Sequence, residues 1–233
     1  MITSFITGAN RGIGLEIAKQ CLTRGDQVLA SCRDPSSADA LVELQESFNH
    51  LEIYPMNVVD ETSVSKLFNV FGKEGTKIDF LFNNAGVMDW SDFSNIQTDS
   101  FKHVLEVNLL GAFLVMRHSL RCLKRSKNPL VINLSSRLGS IGLRGNTNLG
   151  GAIAYQCSKS ALNMLTKQTS LDLSNSGIRV ISQSPGWVKT EMGGKEAKYE
   201  ISESVRLMLR TIDLVKPDST GVFIGEDGLE IPW

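Results

Sequence analysis

The sequence predicts an α/β fold in which one doubly wound parallel sheet of about seven strands carries helices on both faces. Three observations lead there. Short apolar runs alternate with longer amphipathic segments along the chain. The apolar runs lack polar alternation, as expected of strands covered on both faces. Parallel neighbours need a crossover of a dozen or more residues, and the amphipathic segments have that length.

The elements follow in order. Residues 2–6 read as the first strand and 12–24 as a helix that stops near Gly25. Residues 27–31 form a second strand, 37–48 a helix and 51–54 a third strand. A helix over 61–71 leads to an apolar strand over 78–82. Residues 99–124 read as one long helix whose buried stripe would be Phe101, Val104, Leu105, Leu109 and Phe113. A fifth strand is expected at 130–134, a long helix at 154–175, a sixth strand at 179–183 and a seventh at 221–224. No internal repeat, low-complexity tract or long linker interrupts this order, so residues 1–233 are expected to form a single domain.

Bulk properties exclude several function classes. Of the 233 residues 42% are hydrophobic and 21% charged, an ordinary globular balance that argues against disorder. A net charge of −1 gives no broad attraction to nucleic acid or to an anionic membrane, so neither is expected as a partner. The opening MITSFITGAN has no basic stretch before a long apolar run, and no apolar run approaches a membrane span. Cys21, Cys32, Cys122 and Cys157 form no CxxC pair, so they read as reduced thiols and point to a cytoplasmic protein. His50, His103 and His118 are scattered without metal-ligand spacing, and no metal is expected.

In open parallel sheets, ligands bind beyond the carboxyl ends of the strands. The motifs lie there. The first strand runs into Thr7-Gly8-Ala9-Asn10-Arg11-Gly12-Ile13-Gly14 and then a helix. Such a turn lets the backbone approach a pyrophosphate closely, and the helix start offers it unpaired N–H groups. This is the Rossmann-type arrangement for a dinucleotide. After the fourth strand comes Asn83-Asn84-Ala85-Gly86, whose small residues also allow close approach. The second strand ends at Cys32-Arg33-Asp34. Arg33 and Arg11 offer planar forks of donors suited to a phosphate. Tyr155 and Lys159 stand four apart in a helical segment, on one face.

The glycine spacing resembles the short-chain dehydrogenase/reductase family, whose first turn reads TGxxxGIG and is matched by Thr7, Gly8, Gly12, Ile13 and Gly14. The NNAG motif and a chain-ordered set of Asn108, Ser136, Tyr155 and Lys159 carry the likeness further, with Ser136 preferred to Ser135 by alignment. The resemblance covers nearly the whole chain. The stretch Gly150-Gly151-Ala152-Ile153-Ala154-Tyr155, the phrase from Pro185 to Gly194 and the ending Ile231-Pro232-Trp233 are similar to its sniffer and C-factor type of carbonyl reductase.

What the resemblance implies is specific. Hydride attack on a carbonyl builds negative charge on oxygen, and a proton must arrive there. Tyr155 would supply it, its phenol made more acidic by the Lys159 ammonium. Ser136 would hydrogen-bond the substrate oxygen, and Asn108 would help order a water-linked proton path. Lys159 would also hold the nicotinamide ribose. The position that separates NAD from NADP falls at Cys32, which is neutral, so NADP(H) is expected rather than NAD(H). Asn57 replaces the family's usual Asp against the adenine, with Val58 beside it. Asn84, Ala85 and Gly86 would line the cofactor site. Pro185, Gly186, Val188 and Thr190 would wrap the nicotinamide end. Residues 191–203 would form a lid, hinged at Gly193 and Gly194. Met88, Trp90, Phe93, Leu138, Leu143, Trp187 and Met192 are candidate pocket linings for a hydrophobic carbonyl. The two long helices imply a dimer or tetramer, with the C-terminal tail touching a neighbour. Two readings compete with carbonyl reduction: an NAD-linked alcohol dehydrogenase, and a nucleotide-occupied signalling module with little turnover.

Overall fold

The structure, a computed structural model, describes residues 1–145, 150–216 and 218–233. Seven strands form one sheet: β1 (Thr3–Thr7), β2 (Gln27–Cys32), β3 (Leu51–Pro55), β4 (Phe80–Asn83), β5 (Leu130–Leu134), β6 (Arg179–Gln183) and β7 (Phe223–Ile224). Every ladder is parallel, and the order is β3-β2-β1-β4-β5-β6-β7. The winding reverses between β1 and β4, so the crevice that receives ligands opens at Thr7 and Asn83.

The pleat explains the two-sided core. Ile6, Val28, Ala30, Ile132 and Ile181 point to one face. There they meet Ile17 and Ala18 of α1 (Gly12–Thr23), Leu41 of α2 (Asp39–Ser47) and Val205, Met208 and Ile212 of α7 (Ile201–Leu214). Their neighbours Phe5, Leu29, Leu81, Val131 and Val180 point to the other. That face is covered by Val64, Phe68 and Phe71 of α3 (Glu61–Glu74) and by Leu114 and Val115 of α5 (Gly111–Leu123). Apolar side chains on both sides of each central strand account for the unbroken apolar runs in the sequence.

Three expectations are corrected. The helix expected over 99–124 is α4 (Thr98–Leu105) and α5 joined by a π-helical turn, Glu106–Leu110. The extra residue in that turn rotates the buried face, which runs through Val104, Asn108, Ala112 and Val115 and leaves Phe113 37% exposed. Between 201 and 214 the sequence reading has no helix, yet α7 fills that span; Ile201 to Glu203, the end of the expected lid, are its first turn. The helix expected over 37–48 is α2, and the residues before it form a short 3-10 turn, Pro35–Ser37, whose Ser36 amide the Asp34 carboxylate caps at 2.9 Å. The long helix α6 (Ile153–Asp172) starts close to its expected position. The loop residues 146–149 lie outside the described residues. None of the helices among the described residues is long and apolar enough to cross a membrane.

Candidate active site

The ends of β1 and β4 clasp each other. The Thr7 hydroxyl accepts the Asn84 and Ala85 amides, both at 3.0 Å. The Asn84 side chain donates back to the carbonyls of Thr7 (2.8 Å) and Gly8 (3.0 Å). Asn84 thus holds the glycine turn, and its amide nitrogen is spent on backbone. A Cβ on Gly14 would lie 2.4 Å from both the Gly8 oxygen and Asn84 Nδ2, so only glycine fits there. Gly8 itself sits at φ +64°, in the left-handed region. The turn opens α1, whose first N–H groups point into the crevice with no acidic residue in the first turn to oppose an anion. Asn10 is half-buried, and Ile13 packs on the core.

Cys32 is buried at the end of β2, and Arg33 beyond it is exposed and makes no ion pair among the described residues. Asp34, its neighbour, turns instead to Ser36. Arg11 pairs with Glu191 across the mouth of the crevice. Both partners are largely exposed, so the pair is weak and easily exchanged for another anion. The Asn57 backbone N–H donates to Ser63 Oγ at 3.1 Å and its side-chain oxygen accepts the Val59 amide at 3.4 Å, while Val58 shares a small void with Thr7 and Ala85.

The π-helical turn serves Asn108. Its side chain accepts the Val87 amide at 2.8 Å and donates to the Val87 carbonyl and to Ser158 Oγ, both at 2.9 Å. It therefore pins the segment after NNAG to α6. A methyl on Gly86 would stand 3.3 Å from Asn108 Oδ1 and 3.8 Å from Lys159 Nζ, so both groups border the cradle that the missing side chain leaves. Thr7, Asn84 and Gly86 leave backbone room for a flat, phosphate-bearing ligand, and the residues fit a dinucleotide.

Lys159 crosses to the end of β5 and donates to the Leu134 carbonyl at 2.6 Å. Its ammonium lies 5.5 Å from the centre of the Tyr155 ring. Burial brings the Lys159 amine down to about 8. Burial also pushes the Tyr155 phenol up to about 12, while the Ser136 hydroxyl beside it acts in the opposite direction. Burial is thus the larger influence on the phenol, and the Lys159 cation stands over its ring. The two serines separate cleanly. Ser135 is buried and bonded to Asn163 at 2.7 Å, whereas Ser136 caps the short 3-10 turn Arg137–Gly139 and faces Tyr155.

Ala152, just before α6, is the one non-glycine residue with positive φ (48°) among the described residues. Its amide donates to the Trp90 carbonyl at 3.1 Å and the next amide to Ser91 at 3.2 Å. These bonds hold a strained start to the helix that carries Tyr155.

Beyond β6, Val188 is buried and pairs with Tyr199, so residues 191–200 fold back over the Pro185-Gly186 turn. Thr190 accepts the Gly193 amide, and Trp187 donates to the Gly193 carbonyl. Trp90, Phe93 and Trp187 are 56%, 82% and 56% exposed, and Met88, Leu138, Leu143 and Met192 are partly buried. Sequence reasoning missed three participants: Thr7 as the clasp, Ser158 as the partner of Asn108, and Glu191 as the partner of Arg11. The first and last lie in motifs already singled out, but only the fold shows what they touch.

Comparison with known proteins bears on the family and the fold. The short chain dehydrogenase family matches residues 3–200. The NADPH-bound carbonyl reductase from chicken fatty liver superposes with a TM-score of 0.94 at 32% identity, covering 99% of this chain and 98% of the other. The carbonyl reductase Sniffer of D. melanogaster gives a TM-score of 0.92 at 31% identity, covering 100% of both chains. C-signal of Myxococcus xanthus is 39% identical over 157 residues, 67% of this chain and 93% of that protein. An all-parallel sheet in this order, a glycine turn at its switch point and a family match over most of the length lead to one assignment: the chain belongs to the short-chain dehydrogenase family of oxidoreductases.

Proposed function

We propose that this protein is an NADP(H)-dependent carbonyl reductase acting on a small, hydrophobic aldehyde, ketone or quinone. One observation carries the reading. Tyr155, Ser136 and Lys159 converge at the end of β5, and Lys159 and Asn108 face the cradle left by Gly86. The glycine turn and the backbone of Asn84, Ala85 and Gly86 would hold the dinucleotide, with Lys159 at its ribose and Pro185, Gly186, Val188 and Thr190 around the nicotinamide. When bound, the reduced nicotinamide supplies the hydride.

The chain's own residues do the rest. Tyr155 delivers a proton to the carbonyl oxygen as negative charge gathers there. Ser136 donates a hydrogen bond to that oxygen, and its placement by the 3-10 turn means little reorganisation is needed. Protonated Lys159 favours the phenolate that Tyr155 becomes. Asn108 keeps the Val87 segment and α6 in register. The exposed rings of Trp90, Phe93 and Trp187 would rim an apolar entrance, and residues 191–200 would close it. Leu110, Phe113, Met164 and Leu171 lie exposed on α5, α6 and the turn before α5, which supports a homo-oligomer through those helices.

The NADP(H) preference rests on neutral Cys32 and on Arg33, whose guanidinium lacks an ion-pair partner among the described residues. The NADPH carried by the chicken carbonyl reductase points the same way. Arg33→Ala is expected to weaken NADPH binding about tenfold and NADH binding little, as for the loss of one charge-assisted contact. Equal losses for both nucleotides would reject the assignment.

The Lys159 amine also sets a pH limb. A buried ammonium that titrates near 8 is charged below that pH and neutral above it. Since the charged form is the useful one, kcat/KM for carbonyl reduction should fall as pH rises past about 8, and Lys159→Arg should remove that limb. A flat profile in the wild type would contradict the role given to Lys159.

The proposal is tested by following NADPH oxidation across a panel of aldehydes, ketones, quinones and steroids, with NADH alongside. Substrate-dependent oxidation favouring NADPH supports it. Tight NADPH binding with no turnover on the panel would favour a nucleotide-occupied signalling module instead, and turnover with NADH alone a NAD-linked dehydrogenase.

A further inference from the structure

The segment from Glu226 to Trp233 turns back along the edge of the sheet and reaches the loop that carries Ser136. Its own anchorage is firm. Ile231 is buried and donates to the Phe223 carbonyl at 2.8 Å, Gly225 donates to Leu229 at 2.9 Å, and the Trp233 ring stacks on Phe223 at 5.7 Å. From there it touches the loop at three points. Ser140 Oγ donates to the Pro232 carbonyl at 2.5 Å. Gly142 donates its amide to the Trp233 main-chain oxygen at 2.7 Å. Arg137, the residue after Ser136, reaches the carboxylates of Glu226 at 3.4 Å and Asp227 at 3.5 Å.

The other side of the same loop rests on α6. The Gly139 carbonyl accepts Ser160 Oγ at 2.9 Å and Asn163 Nδ2 at 3.3 Å, and a Cβ on Gly139 would stand 2.6 Å from Cβ of Lys159. The loop is thus held between the helix bearing Tyr155 and Lys159 and the returning segment. Glu226 is also buried against the Pro185-Gly186 turn, since a Cβ on Gly186 would lie 2.9 Å from its carboxyl carbon. One short segment therefore touches two of the turns between which a carbonyl would sit.

We propose that residues 226–233 are a positioning strap that sets the place of the Ser136 loop, with Ser140 and Trp233 as its positioning residues for the carbonyl substrate. The inference rests on the carbonyl-reductase reading. Neither residue touches the reacting atoms; they act through the loop. Ser140 is fully buried, and its hydroxyl both donates to Pro232 and accepts the Leu143 amide at 3.1 Å. Its removal leaves a carbonyl and an amide unpaired at the point where the loop turns toward the entrance.

The test compares wild type, Ser140→Ala, Ser140→Thr and Trp233→Ala. The readouts are turnover of a carbonyl accepted by the wild type, NADPH affinity by fluorescence, Tm, and amide hydrogen exchange of residues 138–145 without nucleotide. Ser140→Ala and Trp233→Ala should lower kcat/KM for the carbonyl about tenfold while NADPH affinity changes by less than about twofold, since a small displacement of a positioning group is costly. Exchange at Gly142 and Leu143 should quicken by about tenfold, the mark of a locally loosened loop. Ser140→Thr, which keeps the hydroxyl, should restore both. Wild-type kcat/KM in Ser140→Ala, or losses of turnover, NADPH affinity and Tm in parallel with unchanged loop exchange, would overturn the strap. Should the wild type reduce no carbonyl with NADPH, the proposed function fails, and the exchange comparison still decides whether the strap holds the loop.

Discussion

Tyr155→Phe is expected to lower kcat for carbonyl reduction by about a thousandfold and to leave NADPH affinity nearly unchanged. Only the hydroxyl is lost, so the ring still packs over Lys159 and α6 keeps its start at Ala152. What disappears is the proton for the carbonyl oxygen, a contribution typically between a hundred- and ten-thousandfold, about 3 to 5 kcal/mol. Steady-state rates with a carbonyl accepted by the wild type, together with NADPH fluorescence titration, check both halves. Wild-type turnover in the variant would remove Tyr155 from the chemistry. A loss of NADPH affinity as large as the loss of rate would make its role structural.

The second large effect concerns the cradle. Gly14→Ala is expected to weaken NADPH binding by about a hundredfold or more and to lower stability by about 1–3 kcal/mol, the usual cost of forcing volume into a packed site. The reason is local and severe. The new methyl would meet the Gly8 carbonyl at 2.4 Å, and backbone there cannot step aside because Asn84 holds that oxygen at 3.0 Å. Gly12→Ala is the informative control. Gly12 has positive φ (57°), so alanine is strained, but nothing lies within 4 Å of its Cβ position. Its cost should be near 1 kcal/mol of stability, the penalty of the left-handed conformation. Thermal melts and nucleotide titration of the pair separate strain from collision. Equal NADPH affinities in the two variants would show that the clasp between β1 and β4 does not shape the nucleotide site.

The sequence made legible whatever is decided locally. The strands could be found because two-sided burial demands continuous apolar runs, and β5 and β6 fall at the expected residues. The glycine turn could be read because positive φ and close approach leave few alternatives to glycine. The π-helical turn was not legible. It has no compositional signature and exists because Asn108 must reach Val87 and Ser158 at once, which is a tertiary demand. With α7 the signal is present, since Val205, Met208, Leu209 and Ile212 recur at helical spacing.

The candidate site divides in the same way. Residue types and their chain order point to Asn108, Ser136, Tyr155 and Lys159, but not to what each one binds. Asn84 spends its amide on Thr7 and Gly8, and Arg11 turns to Glu191, because backbone acceptors and a distant carboxylate come close only in the folded chain. The tail from Glu226 to Trp233 grips its loop mostly through main-chain oxygens, which any sequence would carry. The ionisation of Tyr155 also escaped the sequence. Spacing on a helix indicates that Lys159 is near, but not that burial raises the phenol.

That last point gives the most direct test of the central claim, that Tyr155 is a proton donor whose acidity is made usable by Lys159 and a bound oxidised nucleotide. The measurement is an ultraviolet difference titration of the Tyr155 phenol, wild type minus Tyr155→Phe, with and without NADP⁺. The account predicts ionisation near 12 in the free protein and a fall of about two units or more with nucleotide bound, a fall much reduced in Lys159→Met. The same high ionisation with and without NADP⁺ would contradict it.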